Sequence, residues 1–304
     1  MERRFARGLP SRSAIVGLLC VTSPTVPRRR LGQELIRLRK AAGMTGEQVA
    51  TMMEWSSPSK LYKIEGGRQG IQPKELRELL GYYGITDKET VDTLVTLARQ
   101  GKQRAWWSRY AEAIHDSYGT YVGLESAAAE LRTYESSIVP GLLQTEAYAR
   151  ALFTAAAQAP EPAASAETIE SKVQIRMQRQ AALDRLRIWA IVDEAALRRV
   201  VGSRKIMEEQ YGRLLEVGKL PTVKLQILPL GDTTNPTPPT NFTIIEFAEQ
   251  PDPDVVYVEL LTGGIFVEGN DVRRYNVVFN NLRAAALSPG RSLELIEEVA
   301  AGRA

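Results

Sequence analysis

Residues 45–68 read TGEQVATMMEWSSPSKLYKIEGGR, and this stretch predicts two short helices joined by a tight turn. Thr45 is a favoured N-cap for the first helix, Gly46 to Met53, whose apolar positions recur at helical spacing. Ser57 followed by Pro58 predicts an N-cap with proline at the first position of the second helix. A pair of glycines ends that helix, so the stretch has the layout of a helix-turn-helix.

The second helix carries the side chains that favour DNA recognition. Leu61 and Ile64 are three residues apart and are predicted to face inward, which leaves polar side chains outside. In a helix-turn-helix this helix lies in the major groove, where lysine donates to guanine and serine pairs with several bases. Arginines around it, including the Arg28–Arg30 cluster, are expected to contact phosphates. The predicted DNA-contacting residues are Arg39, Thr45, Ser57, Ser59, Lys60, Tyr62, Lys63 and Arg68.

Helical patterns flank the stretch on both sides. One runs from Leu31 to Gly43, and two more run from Pro73 to Leu80 and from Asp87 to Ala98. Together they predict an all-α, five-helix domain over residues 28–100. A small helical bundle with ordinary solvated lysines is the plain alternative to a DNA-binding domain.

The stretches Leu31–Gly43, Thr45–Met53 and Ser57–Arg68 resemble the lambda-repressor-like, xenobiotic-response-element type of helix-turn-helix regulator. The resemblance implies a sequence-specific DNA-binding regulator. One departure affects the turn, because Glu54 stands where that family usually has glycine. The turn through Pro58 is also one residue longer, so the exact set of base-contacting residues stays open.

Charge is unevenly distributed along the chain. The 304 residues carry a net charge of +3, yet residues 1–104 hold 19 Lys and Arg against 10 Asp and Glu, a net +9. The remainder carries −6, which is typical of a polyanion-binding end joined to a different module. One Cys and one His exclude a Cys/His zinc site and an intramolecular disulfide, and they favour a reducing compartment.

The first 27 residues predict a disordered N-terminal extension. An Arg-rich start precedes the apolar run from Ala14 to Val21, as in a secretory signal, but the run is short and prolines follow it at once. We hypothesise that translation starts at Val21 instead of Met1. No stretch approaches the roughly 18 apolar residues of a membrane span, so we predict a cytoplasmic, nucleoid-associated protein without membrane contact.

Residues 104–304 predict a second domain, α+β, with a mainly antiparallel sheet. A mainly helical stretch through Gly123–Tyr134 opens it, and a helical N-terminal half is followed by strand-like runs. The predicted strands are Arg187–Val192, Val223–Leu228, Phe242–Phe247, Val255–Glu259 and Ile265–Glu268. Two closing helices are predicted at Asp271–Leu287 and Ser292–Ala300.

This domain resembles the C-terminal domain of the actinobacterial antitoxin-like transcriptional regulators. The matching positions are Trp106-Trp107, Glu125, Val139–Thr145, Tyr148-Ala149, Arg176, Gln180, Asp193–Leu197, Gln210 and Leu228-Pro229. The resemblance implies a DNA-binding regulator whose partner is often a small protein encoded nearby. A single helix-turn-helix binds weakly, so a homodimer on a pseudo-palindromic double-stranded operator is also expected.

Catalytic patterns are weak, and we predict no enzyme, no cofactor and no metal. His115, Asp116 and Ser117 are the residue types of a hydrolase triad, but consecutive residues rarely converge. Asp193 and Glu194 are more typical of helix capping than of paired catalytic carboxylates. Three functions stay open: an operator-binding regulator, an antitoxin-type module that neutralises a small partner, and a small-molecule-sensing regulator. The candidate ligand or partner residues are Trp106, Trp107, Tyr110 and Gln144. The first three belong to an aromatic set that also includes Tyr118 and Tyr121.

Overall fold

A computed structural model describes residues 25–102, 105–157, 165–231, 238–248 and 253–303. The chain divides into two compact units, with the boundary between Trp106 and Trp107. Most of the predicted N-terminal extension, residues 1–24, lies outside the described residues. The first helix begins at Thr25, so the last three residues of that predicted extension, 25–27, are helical.

The described part of the N-terminal unit contains five α-helices, as the sequence predicted. They are α1 (Thr25–Ala41), α2 (Gly46–Met52), α3 (Ser59–Glu65), α4 (Pro73–Tyr82) and α5 (Lys88–Gln100). Gly43 takes a left-handed φ of 67° after α1, as a glycine that ends a helix should. Thr45 caps α2, since its hydroxyl accepts from the Gln48 backbone N–H and the Gln48 side chain accepts from the Thr45 backbone N–H.

Close packing of α1 against α3 fixes the position of the second helix of the motif. Leu61 and Ile64 are buried from α3, together with Leu35 from α1. Gly32 makes the approach possible, because a Cβ built there would lie 2.2 Å from the Glu65 carbonyl oxygen. The apolar side of α3 is therefore anchored in the core and its opposite side faces outward.

The C-terminal unit is α+β. Its helices are α6 (Asp116–Ala127), α7 (Glu146–Ala156), α8 (Ala166–Arg179), α9 (Glu194–Arg198), α10 (Arg204–Val217), α11 (Val272–Ala285) and α12 (Pro289–Ala300). Its strands are β1 (Glu130–Glu135), β2 (Arg187–Asp193), β3 (Val223–Leu228), β4 (Phe242–Glu246), β5 (Val255–Leu260) and β6 (Gly263–Val267). Short 3-10 segments lie at Trp106–Ala113, Gly141–Leu143, Gln180–Asp184 and Gly269–Asp271.

The six strands form one sheet in the order β3-β2-β1-β4-β5-β6. β1 pairs with β2 in parallel and β2 with β3 in parallel, whereas β4, β5 and β6 are antiparallel to their neighbours. The prediction of a mainly antiparallel sheet is therefore wrong, and the sheet is mixed. Helices α7 and α8 connect β1 to β2, and α9 and α10 connect β2 to β3, as crossovers between parallel strands require.

β1 is the strand that the sequence did not predict, because residues 123–134 were expected to be mainly helical. In the structure α6 ends at Ala127, and Glu130 pairs with Arg187 on one side and Glu246 on the other. Arg132, in the middle of this central strand, forms an ion pair with Glu246 and donates to Asn276 Oδ1 at 2.5 Å. These distant partners satisfy a charge that is unusual in a central strand.

Helices cover the sheet and bury its apolar side chains. Phe279 and Leu282 of α11 lie in one cluster with Tyr134, Ile191 and Val256 from the strands. Among the residues that the structure describes, no helix has both the length and the apolar character needed to cross a membrane.

Candidate functional site

The outer face of α3 carries the side chains predicted to contact DNA. Ser59, Tyr62 and Lys63 are exposed, and the Tyr62 side chain is 48% exposed. Arg68, just beyond the helix, is also exposed, and its backbone N–H donates to the Lys63 carbonyl at 2.9 Å. These four residues form a continuous polar and cationic segment over a buried apolar side, and we call them the α3 face.

The start of α3 differs from the prediction by one residue. Pro58 occupies the cap position in a helical conformation (φ −69°, ψ −8°), and no side chain caps the helix. The predicted capping role of Ser57 is therefore wrong, and Ser57 lies exposed in the turn instead. An uncapped helix start leaves its first backbone N–H groups available to an outside acceptor.

Glu54 holds the turn in a left-handed conformation, with φ at 55°. It is the one described non-glycine residue with positive φ, and it stands at the position that the sequence comparison marked as usually glycine. L-residues with a Cβ adopt this conformation at a cost of about 1–2 kcal/mol. The turn thus adopts at Glu54 a conformation that glycine takes without this cost.

Lys60 is held by contacts inside the unit. Its ammonium forms an ion pair with Glu75 on α4 and lies 4.6 Å from the centre of the Trp55 ring. Trp55 Nε1 donates to the same Glu75 carboxylate at 3.2 Å. The three side chains connect the turn, α3 and α4, so Lys60 has less freedom to reach a base than Lys63.

Two other predicted phosphate-binding side chains also have intramolecular partners. Arg39 donates to both carboxylate oxygens of Glu65 and to the Met44 carbonyl, and its side chain is mostly buried. Arg28 donates from Nε to the Gly101 carbonyl, which ties α1 to the end of α5. Burial lowers the pKa of Arg28 below its usual value.

The four candidate ligand or partner residues of the second domain do not come together. Trp107 is buried, and Trp106 is partly exposed. Tyr110 accepts a hydrogen bond from Gln178 Nε2 at 3.0 Å. Gln144 is fully buried, where its side chain donates to the Val139 carbonyl at 2.7 Å. None of the four lines the large cavity of this unit.

That cavity, of about 850 Å³, is lined by two other members of the aromatic set, Tyr118 and Tyr121. Tyr121 stacks on Tyr257 of β5 with ring centres 4.5 Å apart. Beside them Arg179 binds Glu125 through two hydrogen bonds, Nε to Oε1 at 2.7 Å and Nη2 to Oε2 at 2.6 Å. Both side chains of this ion pair are almost fully buried.

The Val139–Thr145 segment is a buried hydrogen-bonding element of the C-terminal unit. Its Leu143 carbonyl accepts from Gln210 Nε2 at 2.9 Å, and the Gln144 carbonyl accepts from Gln180 Nε2 at 2.6 Å. Gln144 Oε1 accepts from Arg176 Nη1 at 2.8 Å. Four positions that carried the second resemblance, Gln144, Arg176, Gln180 and Gln210, are thus joined through this segment, and of these four Arg176 lines the cavity.

The residues of the two weak catalytic patterns lie at the ends of helices α9 and α6. Asp193 caps α9 by accepting from the Ala195 N–H at 2.9 Å, which confirms the capping interpretation. Ser117 Oγ accepts from the Gly264 N–H at 2.8 Å, whereas the neighbouring His115 is exposed at the start of α6. Within the described ranges no group of three or more His, Cys, Asp or Glu side chains is placed to hold a metal ion.

Comparison with known protein families matches both units. Residues 30–94 match the family described as a helix-turn-helix domain. Residues 118–298 match the family described as a domain of unknown function, DUF5753. No curated protein and no solved structure matches the chain.

Proposed function

Because the chain belongs to the DUF5753 family and carries a helix-turn-helix domain, we propose that it is a sequence-specific DNA-binding transcriptional regulator of the lambda-repressor-like class. It would act by binding rather than by catalysis. The helix-turn-helix match supports the DNA-binding part directly. Recognition of a particular operator and the regulatory role go beyond that match.

The α3 face is the observation that carries this proposal. Tyr62 and Lys63 project from a helix whose opposite side is fixed by Leu61 and Ile64 in the core. A rigid helix with exposed donors is what base recognition in the major groove requires. Arg68 lies beyond the helix, where it can neutralise a phosphate.

The placement of the other candidates narrows the proposed interface. Arg39 and Lys60 already have carboxylate partners, so we assign them to holding the motif rather than to DNA contact. Thr45 keeps its capping role. The remaining base-reading candidates are Ser57, Ser59, Tyr62 and Lys63.

The direct test is selection of a binding sequence from random double-stranded DNA by the full-length chain. The selected duplex is then titrated with the parent protein, Lys63→Ala and Lys88→Ala. Lys88 is a matched control because it is exposed at the start of α5. We expect Lys63→Ala to cost about 1–3 kcal/mol of affinity and to relax the selected sequence, with little effect from Lys88→Ala.

A salt series separates the role of Arg68 from that of Lys63. Arg68→Ala should weaken binding to all duplexes alike and lower the salt slope by about 1, since one phosphate contact is lost. Equal loss of affinity in Lys63→Ala and Lys88→Ala, or failure to select any sequence, would contradict the proposal.

Two finer features complete the proposal. A dimer on a pseudo-palindrome is expected, with half-sites about one helical turn apart, and the spacing of the selected sequence tests it.

A second candidate function is an antitoxin-like interaction with a small protein. The apolar side chains of Leu260, Leu261 and Ile265, exposed on the β5–β6 hairpin, favour a protein partner. Co-purification of the neighbouring gene product with the parent, and its loss in Leu261→Ser, would support that role.

A further inference from the structure

The cavity of the C-terminal unit lies at the carboxyl end of the central strand. Glu135, the last residue of β1, lines it, as does Phe242, the first residue of β4. At this strand the sheet changes from parallel to antiparallel pairing. Open sheets bind ligands at such ends of strands, and a volume of about 850 Å³ suits a small organic molecule.

Arg176 brings a buried positive charge to this cavity without a negative partner. Its side chain is 7% exposed, and Nη1 donates to the neutral amide oxygen of Gln144 at 2.8 Å. Nε is buried without a hydrogen-bond partner, and among the described residues no carboxylate forms an ion pair with this guanidinium. Arg179, one helical turn later, differs because Glu125 neutralises it.

The local sequence is arranged to hold the Arg176 guanidinium in place. A Cβ built on Gly141 would lie 2.6 Å from Arg176 Nη1, so a larger residue there would displace the guanidinium from this position. The Phe153 ring lies on another side, with its centre 5.0 Å from Arg176 Cζ. Gly141 and Gln144 both belong to the Val139–Thr145 segment, so the most distinctive motif of this domain positions an unpaired cation at the cavity.

The carboxyl group of Glu135 does not neutralise Arg176. The pKa of Glu135 is raised to about 8, by burial first and then by the nearby Glu259, while Arg176 and Arg179 act in the opposite direction. Near pH 7 the group is therefore mostly protonated and can donate a hydrogen bond. Lys172, one turn before Arg176 on α8, also lines the cavity, as do the carboxylates of Glu112 and Glu259 farther along its wall.

From these contacts we propose that the cavity binds a small amphipathic organic acid. Its anionic group would pair with the Arg176 guanidinium, since arginine matches the geometry of carboxylate and phosphate. Its apolar or aromatic body would lie along the Tyr121–Tyr257 stack and Phe153. The proposal concerns the C-terminal unit alone and does not depend on DNA binding.

The test uses the full-length chain and probes matched in size but not in charge. The anions are phenylacetate, 4-phenylbutyrate, 1-naphthylacetate and phenyl phosphate. The controls are 4-phenylbutan-1-ol and 4-phenylbutan-1-amine. We expect saturable binding of at least one anion by calorimetry, at least tenfold weaker binding of the alcohol, and none of the amine. A preference for phenyl phosphate over the carboxylates would identify the anionic group of the ligand as a phosphate.

Arg176→Gln should weaken binding of that anion at least tenfold, whereas Arg273→Gln, which removes an exposed charge on α11 away from the cavity, should not. The melting temperature without probe supplies the second readout. If the Arg176 guanidinium has no anionic partner in the ligand-free protein, Arg176→Gln keeps or raises the melting temperature, because an uncompensated buried charge is removed. A lowered melting temperature with unchanged anion binding, or no preference for any anion over the alcohol, would overturn the proposal.

Discussion

Arg39 on α1 and Glu65 at the end of α3 form a two-point ion pair across 26 residues of sequence, with Nε 2.6 Å from Oε1 and Nη2 3.0 Å from Oε2. The side chains are 14% and 5% exposed. A charged hydrogen bond of this geometry is stronger than a neutral one. The Arg39–Glu65 ion pair joins α1 to α3, the helix that carries the α3 face.

Arg39→Ala should therefore destabilise the N-terminal unit, by about 3 kcal/mol, because Glu65 is left buried without its cation. Urea denaturation followed by circular dichroism measures the change. The double variant Arg39→Met/Glu65→Leu should recover much of the loss, since no charge is then left unpaired. Unchanged stability together with weaker DNA binding would instead assign Arg39 to a phosphate contact.

Lys60→Ala should affect the fold more than it affects DNA recognition. The substitution removes the cation that Glu75 and the Trp55 ring contact. This pair is partly exposed, so we expect a loss of at most about 1 kcal/mol in the free energy of unfolding. The loss of affinity for the selected duplex should be smaller than that of Lys63→Ala. The reverse order, measured by fluorescence anisotropy, would restore Lys60 to the base-reading set.

Glu54→Gly should stabilise the N-terminal unit. Glycine adopts the observed φ of 55° without the steric cost that a Cβ brings, although it also gives the unfolded chain more freedom. The net gain should be about 0.5–1 kcal/mol. Thermal unfolding of Glu54→Gly beside Glu54→Ala measures it, because alanine keeps the Cβ and should give no such gain. Equal melting temperatures for the two variants would show that the turn is not strained.

Gly32→Ala should be strongly destabilising although it adds a single methyl group. The new Cβ would lie 2.2 Å from the Glu65 carbonyl oxygen and 2.8 Å from that of Ile64, both backbone atoms. Only movement of α3 away from α1 relieves the overlap, and overpacking of this kind costs about 1–3 kcal/mol or more. Gly81→Ala is the control, because nothing lies within 4 Å of a Cβ there. Similar stability of the two variants would contradict the close helix approach.

Glu135 should make the stability of the chain depend on pH. Its pKa in the folded chain is raised to about 8 from an ordinary 4.5, so the folded chain keeps a proton that the unfolded chain releases. The contribution of Glu135 to the free energy of unfolding is complete below about pH 4.5 and is lost as pH rises through 8. The free energy of unfolding falls in this range by at most about 1.4 kcal/mol per pH unit. The groups that face it are Glu259, Arg176 and Arg179.

Glu135→Gln should flatten this part of the pH profile, which urea denaturation between pH 5 and 8 measures. Glu246 and Asp254 also have raised pKa values, from burial first, and their contribution should stay in the variant. The difference between parent and variant therefore isolates Glu135. Parallel profiles would mean that its carboxyl group is ionised throughout this range.

Local sequence signals were sufficient to predict the helices of the N-terminal unit. The capping residue Thr45, the spacing of Leu61 and Ile64, and the glycine after α1 each act within a few residues, so their patterns predict the helices directly. The partners of Arg39 and Lys60 lie 26 and 15 residues away, and no local pattern reveals them. For this reason the sequence did not show that two members of the predicted DNA-contacting set, Arg39 and Lys60, form ion pairs with distant carboxylates.

The C-terminal unit was predicted less completely for the same physical reason. Strands β4 and β5 alternate or are continuously apolar, and the sequence shows them. β1 contains Arg132, whose charge is satisfied only by Glu246 and Asn276 from distant parts of the chain. Without β1 the parallel β1–β2 pair and its antiparallel pairing with β4 could not be recognised. Arg176 was noted as a matching position, but its location at the cavity depends on the whole fold.

The central position of β1 also has a consequence for synthesis on the ribosome. Its neighbours β2 and β4 begin about 57 and 112 residues later in the chain, so neither of its pairings is local. At translation rates of about 5–20 residues per second, β1 waits roughly 6 to 20 seconds for its second neighbour. Both of its edges are unpaired until β2 is synthesised, and the edge that pairs with β4 stays unpaired for the rest of that time. All the described helices of the N-terminal unit precede β1 in the chain, so that unit can fold while the sheet is still being made.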